Sequence, residues 1–212
     1  MTKKTVYVLL GDVVNSRGIK DRQRFEKRLR IALDKIMRIY GKSFRVPVKN
    51  WKGIDEVAAV LNKAGDVYRI MDTMNDALVP EKIRFVLVKG ELDVIPKNKD
   101  VSQLDGQVFH VAASLMATIK KEKRLFLCDT GNPLADMALD TQINALFLLK
   151  TSWTQKQRNI FNMYFKIGSQ DSVAKKLKVT QQSVSKTLNA IAAIQVAALE
   201  DKVTNWTHAT FD

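Results

Sequence analysis

The chain has one cysteine, Cys128, in 212 residues, which excludes an internal disulfide and a cysteine-built metal cluster. No apolar run approaches the roughly 18 residues of a membrane span. The N-terminal VYVLL run is broken by Gly11 and Asp12 too soon to serve as a signal peptide. Internal repeats and low-complexity tracts are also missing. With 46% hydrophobic and 27% charged residues, what remains is a folded soluble chain, expected in the cytoplasm with no membrane partner. Its length suits one core domain with a small appendage.

Acidic residues are scarce at both ends. The net charge is +13, and residues 1–45 carry 13 Lys/Arg against 4 Asp/Glu, whereas residues 46–149 carry 13 against 14. Residues 150–212 hold 9 against 4, so the positive charge is terminal. Such local excess is a footprint for nucleic acid or another polyanion, and equally suits a solvated basic face.

Val6 to Leu10 has the continuous aliphatic character of a strand buried on both faces. From Asp21 to Tyr40, Phe25, Leu29, Ala32, Leu33, Ile36 and Ile39 fall at helical spacing, with a basic opposite side. Phe44 to Val48 reads as a second strand, where Pro47 points to an edge or bulge, and Ile54 to Leu61 reads as a third. A helix through Val67, Ile70, Met71, Met74 and Leu78 is stopped by Pro80. Ile83 to Ile95 predicts a long strand or hairpin, followed by a polar loop, a helix opened by Asp105 and Gly106, and a short strand in RLFLCD. This order predicts an α+β domain over residues 1–131, a ferredoxin-like or palm-like antiparallel sheet with helices on one face. Residues 132–212 read entirely as helices, a linker and a helix-turn-helix domain, ending in a tail, TNWTHATFD, that either tucks back or frays.

The most informative local pattern is SQDSVAKKLKVTQQSVSKTLNAI. Ser169 and Thr180 are good N-caps for segments with apolar faces at Val173, Ala174, Leu177 and at Val184, Leu188, Ile191. Ala174 permits close helix approach, and the short Lys178-Val179 connection completes helix-turn-helix spacing, although Lys178 stands where glycine is preferred. Gln181, Gln182, Ser183, Ser185, Lys186 and Asn189 then face away from the core, toward the base edges of double-stranded DNA. Lys156, Arg158, Lys166, Lys175, Lys176 and Lys178 are candidate phosphate contacts. An ordinary three-helix unit that contacts protein is the plainer alternative. Past Asn189 the last helix is apolar nearly all round, which calls for burial against residues 134–149 or in a homodimer suited to a palindromic operator.

Acidic residues stand beside turns at Asp12 in GDVVNSR, at Asp55 and Glu56 in KGIDEV, and at Glu91 and Asp93 in KGELD. Carboxylates at adjacent strand ends can hold Mg²⁺ through oxygen ligands and leave room for a nucleotide ligand. That makes Asp12, Asp55 and Glu56 the candidate metal ligands. Asn15, Ser16 and Arg17, at the following turn, are the candidate phosphate-binding residues. Each also suits a structural role: a turn cap, an exposed edge charge, a partner for a lysine.

GDVVNSRGIKDR, KGIDEVAAVL, a strand ending KGEL, DGQVFHVAASL and INALF shortly before WTQKQRNIF together resemble the SatD family of prokaryotic proteins. The resemblance runs in order over nearly the whole chain. It implies a palm-like domain, loosely similar to nucleotide cyclase and GGDEF domains, joined to a C-terminal DNA-binding module. Asp12, Asp55, Glu56 and His110 keep the family's character. Two departures stand out: Ile54 separates Gly53 from Asp55 where the family reads GDEFQ, and Val111 and Ala113 stand where an arginine is expected. The leading expectation is a DNA-binding regulatory protein, a transcriptional regulator whose palm-like domain assembles it or senses a ligand. The rival is a metal-dependent nucleotide-binding or nucleotidyl-cyclase-like enzyme, and no catalytic residue is assigned.

Overall fold

The structure is a computed structural model that describes residues 4–51, 53–92, 101 and 106–212. It divides into two units, one of residues 1–144 with 203–212 and one of residues 145–202.

The first unit is α+β. Its strands are β1 (Lys4–Val13), β2 (Phe44–Asn50), β3 (Glu56–Leu61), β4 (Ile83–Leu92) and β5 (Phe126–Asp129). Helices α1 (Arg22–Tyr40), α2 (Val67–Leu78) and α3 (Gln107–Glu122) connect them. The sheet order is β2-β3-β1-β4-β5, with β1 antiparallel to both β3 and β4. The first four strands and two helices therefore form two interleaved βαβ units, the ferredoxin-like arrangement. β5 departs from the expected antiparallel sheet, because it adds to β4 in parallel through the α3 crossover.

Val6 to Val13 of β1 are all buried, which needs cover on both faces. Val6, Val8 and Leu10 pack with Val108, Phe109, Ala112, Met116 and Ile119 of α3. The alternate residues, Leu9 with Leu61 and Leu87, face the other way and are equally buried, on the side covered by α1 and α2. Helices thus lie on both faces, not one; a crossover to an added parallel strand brings α3 to the side that the interleaved pair leaves open.

Local chemistry sets the boundaries. Asp21 caps α1 by accepting from the Arg24 amide at 2.9 Å. α2 ends before a cis Val79–Pro80 bond, and the Arg28 guanidinium ties α1 to that turn through the carbonyls of Ala77 and Val79. Pro47 sits on the sheet's edge strand, beside a register shift between Val46 and Lys49. Ile39, assigned above to the apolar face of α1, is exposed.

The remaining helices are α4 (Pro133–Thr151), α5 (Gln155–Ile167), α6 (Gln170–Leu177), α7 (Gln181–Ala190) and α8 (Ala193–Phe211). The last expected helix is therefore two, broken at Ala192, which adopts a φ of 48°. The tail continues α8 and is held to the first unit. Thr207 Oγ1 donates to the Gly65 carbonyl at 2.6 Å, the Gly65 amide to Asp212 Oδ1 at 2.9 Å, and the Phe211 ring meets Tyr7 edge-on.

In the second unit the core gathers Trp153, Ile160, Phe161, Val173, Ala174, Val184 and Leu188. Lys150 and Glu200 form an ion pair of 2.8 Å with side chains only 2% and 3% exposed. The same ammonium lies 5.3 Å from the centre of the Phe161 ring and 5.7 Å from that of Trp153. No helix among the described residues is long and apolar enough to cross a membrane.

Candidate functional site

Most of the candidate residues gather in two places: the rim of the sheet near Asp12, and the exposed side of α6 and α7. At the rim, β1 runs out between β3 and β4. Gly11 is required there, because a Cβ would lie 2.7 Å from Val57 Cγ2 and 3.0 Å from Phe85 Cε1. The next residue, Asp12, pairs across the sheet with Glu56 of β3 on one side and Arg84 of β4 on the other. These three share the face covered by α3, and Lys120 of α3 reaches them. Its Nζ lies 2.6 Å from Asp12 Oδ1 and 3.9 Å from Glu56 Oε1, while Arg84 Nε lies 3.4 Å from Asp12 Oδ2. Asp12 is only 7% exposed, whereas the Lys120 side chain is 42% exposed, so the pair is buried at the carboxylate and wet at the ammonium's side.

Beside this group lies a cleft of about 210 Å³, lined by Leu10, Gly11 and Trp51 and by one face of α3, Ala113, Met116 and Ala117. Trp51 leans on Phe109, with ring centres 6.1 Å apart.

Asp55 goes elsewhere. It lies in the turn that precedes β3, not in the strand that holds Glu56. Its Oδ2 accepts from Ser16 Oγ at 2.5 Å in a separate cleft of about 360 Å³, with Arg17, Arg22 and Glu26. Ser16 follows Asn15, whose left-handed backbone (φ 56°) turns the chain into a short 3₁₀ segment, Ser16–Gly18. Of the candidate phosphate-binding residues, Ser16 already donates to a carboxylate, while Asn15 and Arg17 are exposed.

Glu91 pairs with Thr5 at the opposite end of β1, roughly 20 Å from Asp12 at about 3.3 Å per residue. Asp93 and Asp105 lie outside the described residues. His110 is on the exposed side of α3. Among the described residues, no three of His, Cys, Asp and Glu gather as metal ligands.

Mg²⁺ would ask Asp12 and Glu56 for oxygen ligands and leave its own double charge to be balanced. Two cations already meet these carboxylates, one of them at 2.6 Å. The rim does not fit a divalent ion.

Lys120, Arg84 and Trp51 were not among the residues expected at this site. Lys120 carries a usable signal: it lies seven residues after Ala113 and four after Met116 on one helical face. Ala113 stands where an arginine was expected, and the same helix face supplies a cation two turns later. Cys128 is buried, and burial pushes its thiol far above its ordinary range, with Asp136 adding to the effect. It is no nucleophile.

In the helical unit, Ser169 caps α6 at the Ser172 amide and Thr180 caps α7 at the Ser183 amide, at 3.3 and 3.1 Å. Lys178 takes the left-handed conformation, φ 54° and ψ 45°, and the amide of Val179 returns to the Ala174 carbonyl at 3.0 Å. Val184 and Leu188 point inward. Gln181, Gln182, Lys186 and Asn189 are exposed, and Ser183 and Ser185 partly so. Gln181 is steadied by Gln170 at 2.7 Å. Lys156, Lys166, Lys175, Lys176, Lys178 and Lys186 are all exposed, against one acidic residue, Asp171, between 154 and 190.

Arg158 is withdrawn from the expected phosphate contacts: it is buried, and its guanidinium donates to the Lys150 carbonyl. Leu177, expected on the apolar face of its helix, is half-buried, as is Val179 in the connection, and Phe165 is 45% exposed. The apolar run after Asn189 buries Ile191, Ala193 and Val196 but leaves Ile194 and Leu199 exposed.

An α+β unit with an ion-paired rim and a basic helical unit define a two-part protein. A model of the SatD family matches residues 6–203, and the chain belongs to that family. A crystal structure of a regulator of polyketide synthase expression from Bifidobacterium adolescentis is similar over 97% of this chain and 86% of that one. The identity is 13% and the TM-score 0.27, a likeness too distant to carry function. No curated protein matches the chain.

Proposed function

We propose that this is a DNA-binding regulatory protein, a transcriptional regulator, in which α6 and α7 act as a helix-turn-helix and α7 reads double-stranded DNA. The observation that carries this reading is the pair of capped helices around the left-handed Lys178. It turns Gln181, Gln182, Ser185, Lys186 and Asn189 outward amid six exposed lysines. Gln and Asn can bond adenine edges in the major groove, and Lys can bond guanine or phosphate. Lys175 and Lys176, in the last turn of α6, would hold the backbone and set register.

In this reading the protein acts as a homodimer in the cytoplasm, so that two recognition helices meet a palindromic site. Exposed Leu148, Leu149, Ile194 and Leu199 in the helical unit support such pairing. The α+β unit serves assembly or sensing, and the Trp51-walled cleft is where a small ligand would act.

The test is selection of bound fragments from a genomic library, followed by gel shift on the recovered sequence. The reading expects a defined site whose binding is lost in Gln182→Ala/Lys186→Ala. Equal binding of all fragments, or an unchanged preference in that variant, would sink it.

A further inference from the structure

We infer that Lys120 is the built-in counter-ion of the Asp12–Glu56 rim, a tethered ammonium standing where a divalent cation would otherwise sit, so that the α+β unit works without metal.

The charges form a compact group. Glu56, Asp12 and Arg84 form one row across three neighbouring strands, and Lys120 lies over that row from α3. Two carboxylates meet two cations, and the shorter contact, 2.6 Å, is that of a charge-assisted hydrogen bond. A Mg²⁺ ion bound to Asp12 would have to take the place of the ammonium, leaving +3 against −2 with Arg84 still in place, and +4 if Lys120 stays beside it.

The helix makes the substitution possible. Ala113 and Ala117 keep the same face of α3 low beside the cleft, and Lys120 is the long side chain that follows them on it. It lines the cleft and its side chain is 42% exposed, so the ammonium reaches the acids without full desolvation. Arg84 holds Asp12 from the other side, with its Nε making no hydrogen bond among the described residues. Removing Lys120 would leave two facing carboxylates of adjacent strands with one fewer cation, which is the chemistry that takes up Mg²⁺ or Mn²⁺.

The experiment uses the full chain as wild type, Lys120→Met, Lys120→Gln and Lys120→Met/Asp12→Asn, titrated with Mg²⁺ and Mn²⁺. Free Mn²⁺ is read by electron paramagnetic resonance and stability by thermal unfolding. The wild type is expected to leave the Mn²⁺ signal undiminished and to melt at the same temperature with or without either ion. Lys120→Met and Lys120→Gln are expected to deplete free Mn²⁺ and to gain roughly 5 °C or more at about a hundredfold excess over Kd. Asp12→Asn in the Lys120→Met background abolishes both effects. Saturable, Asp12-dependent Mn²⁺ binding by the wild type would overturn the inference whatever the variants do. Folded Lys120 variants that bind no ion would overturn it too, by showing that the ammonium holds no cation's place.

Discussion

Breaking the Lys150–Glu200 pair is expected to damage the helical unit far more than deleting it. The two side chains are 2.8 Å apart and almost wholly buried, between the end of α4 and the middle of α8. At an effective dielectric of about 20 their attraction is on the order of 6 kcal/mol. Desolvation of both ions offsets most of that, so the pair's net contribution is small. Lys150→Met removes the ammonium but leaves the carboxylate of Glu200 buried, and Glu200→Gln does the reverse. Each is expected to lose about 3–5 kcal/mol, a large share of the roughly 5–15 kcal/mol of a typical domain. Lys150→Met/Glu200→Leu replaces both charges with apolar atoms beside Trp153 and Phe161 and should return to within about 1–2 kcal/mol of wild type. Urea unfolding followed by far-ultraviolet circular dichroism gives the four stabilities and hence the coupling energy. Single variants that each lose less than about 1 kcal/mol, or a double variant as unstable as the sum of the singles, would refute the reasoning.

Three further outcomes follow from the α+β unit. Cys128 should resist thiol reagents at neutral pH in the native protein and react at the rate of a free thiol once unfolded; fast native labelling would show that β5 opens. Burial, and then the charge of Asp212, raises the Tyr7 phenol above its ordinary 10.0, and burial likewise raises Tyr40. A proton held more tightly in the folded state gives stability that is complete below about pH 10 and lost as pH rises through the folded values. Alkaline melting curves should therefore steepen above that pH, less so in Tyr7→Phe. Gly11→Ala places a Cβ 2.7 Å from Val57 Cγ2 and should lower stability by about 1–3 kcal/mol, read by urea unfolding; a change within error would mean the strands part freely.

What the sequence made legible was local. Ser169, Thr180 and Asp21 cap the helices they precede, Pro80 ends α2, and Lys178 takes the left-handed turn its position required. These depend on neighbours within four residues. What escaped was set by distant partners. The break at Ala192 has neither glycine nor proline to announce it. The tail is helical because Thr207, Phe211 and Asp212 meet Gly65 and Tyr7 about two hundred residues or fewer away in the chain. The second helical layer depends on a crossover to β5. The rim was read as one cluster of acids because Asp55 and Glu56 are adjacent in sequence, yet Asp55 sits in the turn before β3 and accepts from Ser16, while Glu56 starts the strand and meets Lys120. Lys120, whose ammonium meets Asp12 there, is 108 positions from it in the chain.

Binding of a labelled duplex to the full chain across a range of salt concentrations, followed by fluorescence anisotropy, tests the central claim most directly. The account predicts that log K falls linearly with log salt for the wild type. Lys175→Ala/Lys176→Ala should reduce the magnitude of that slope by about 2 while keeping sequence preference, and Gln182→Ala should weaken preference at nearly constant slope. Absence of binding at low salt, or slopes and preferences that none of these substitutions change, would contradict it.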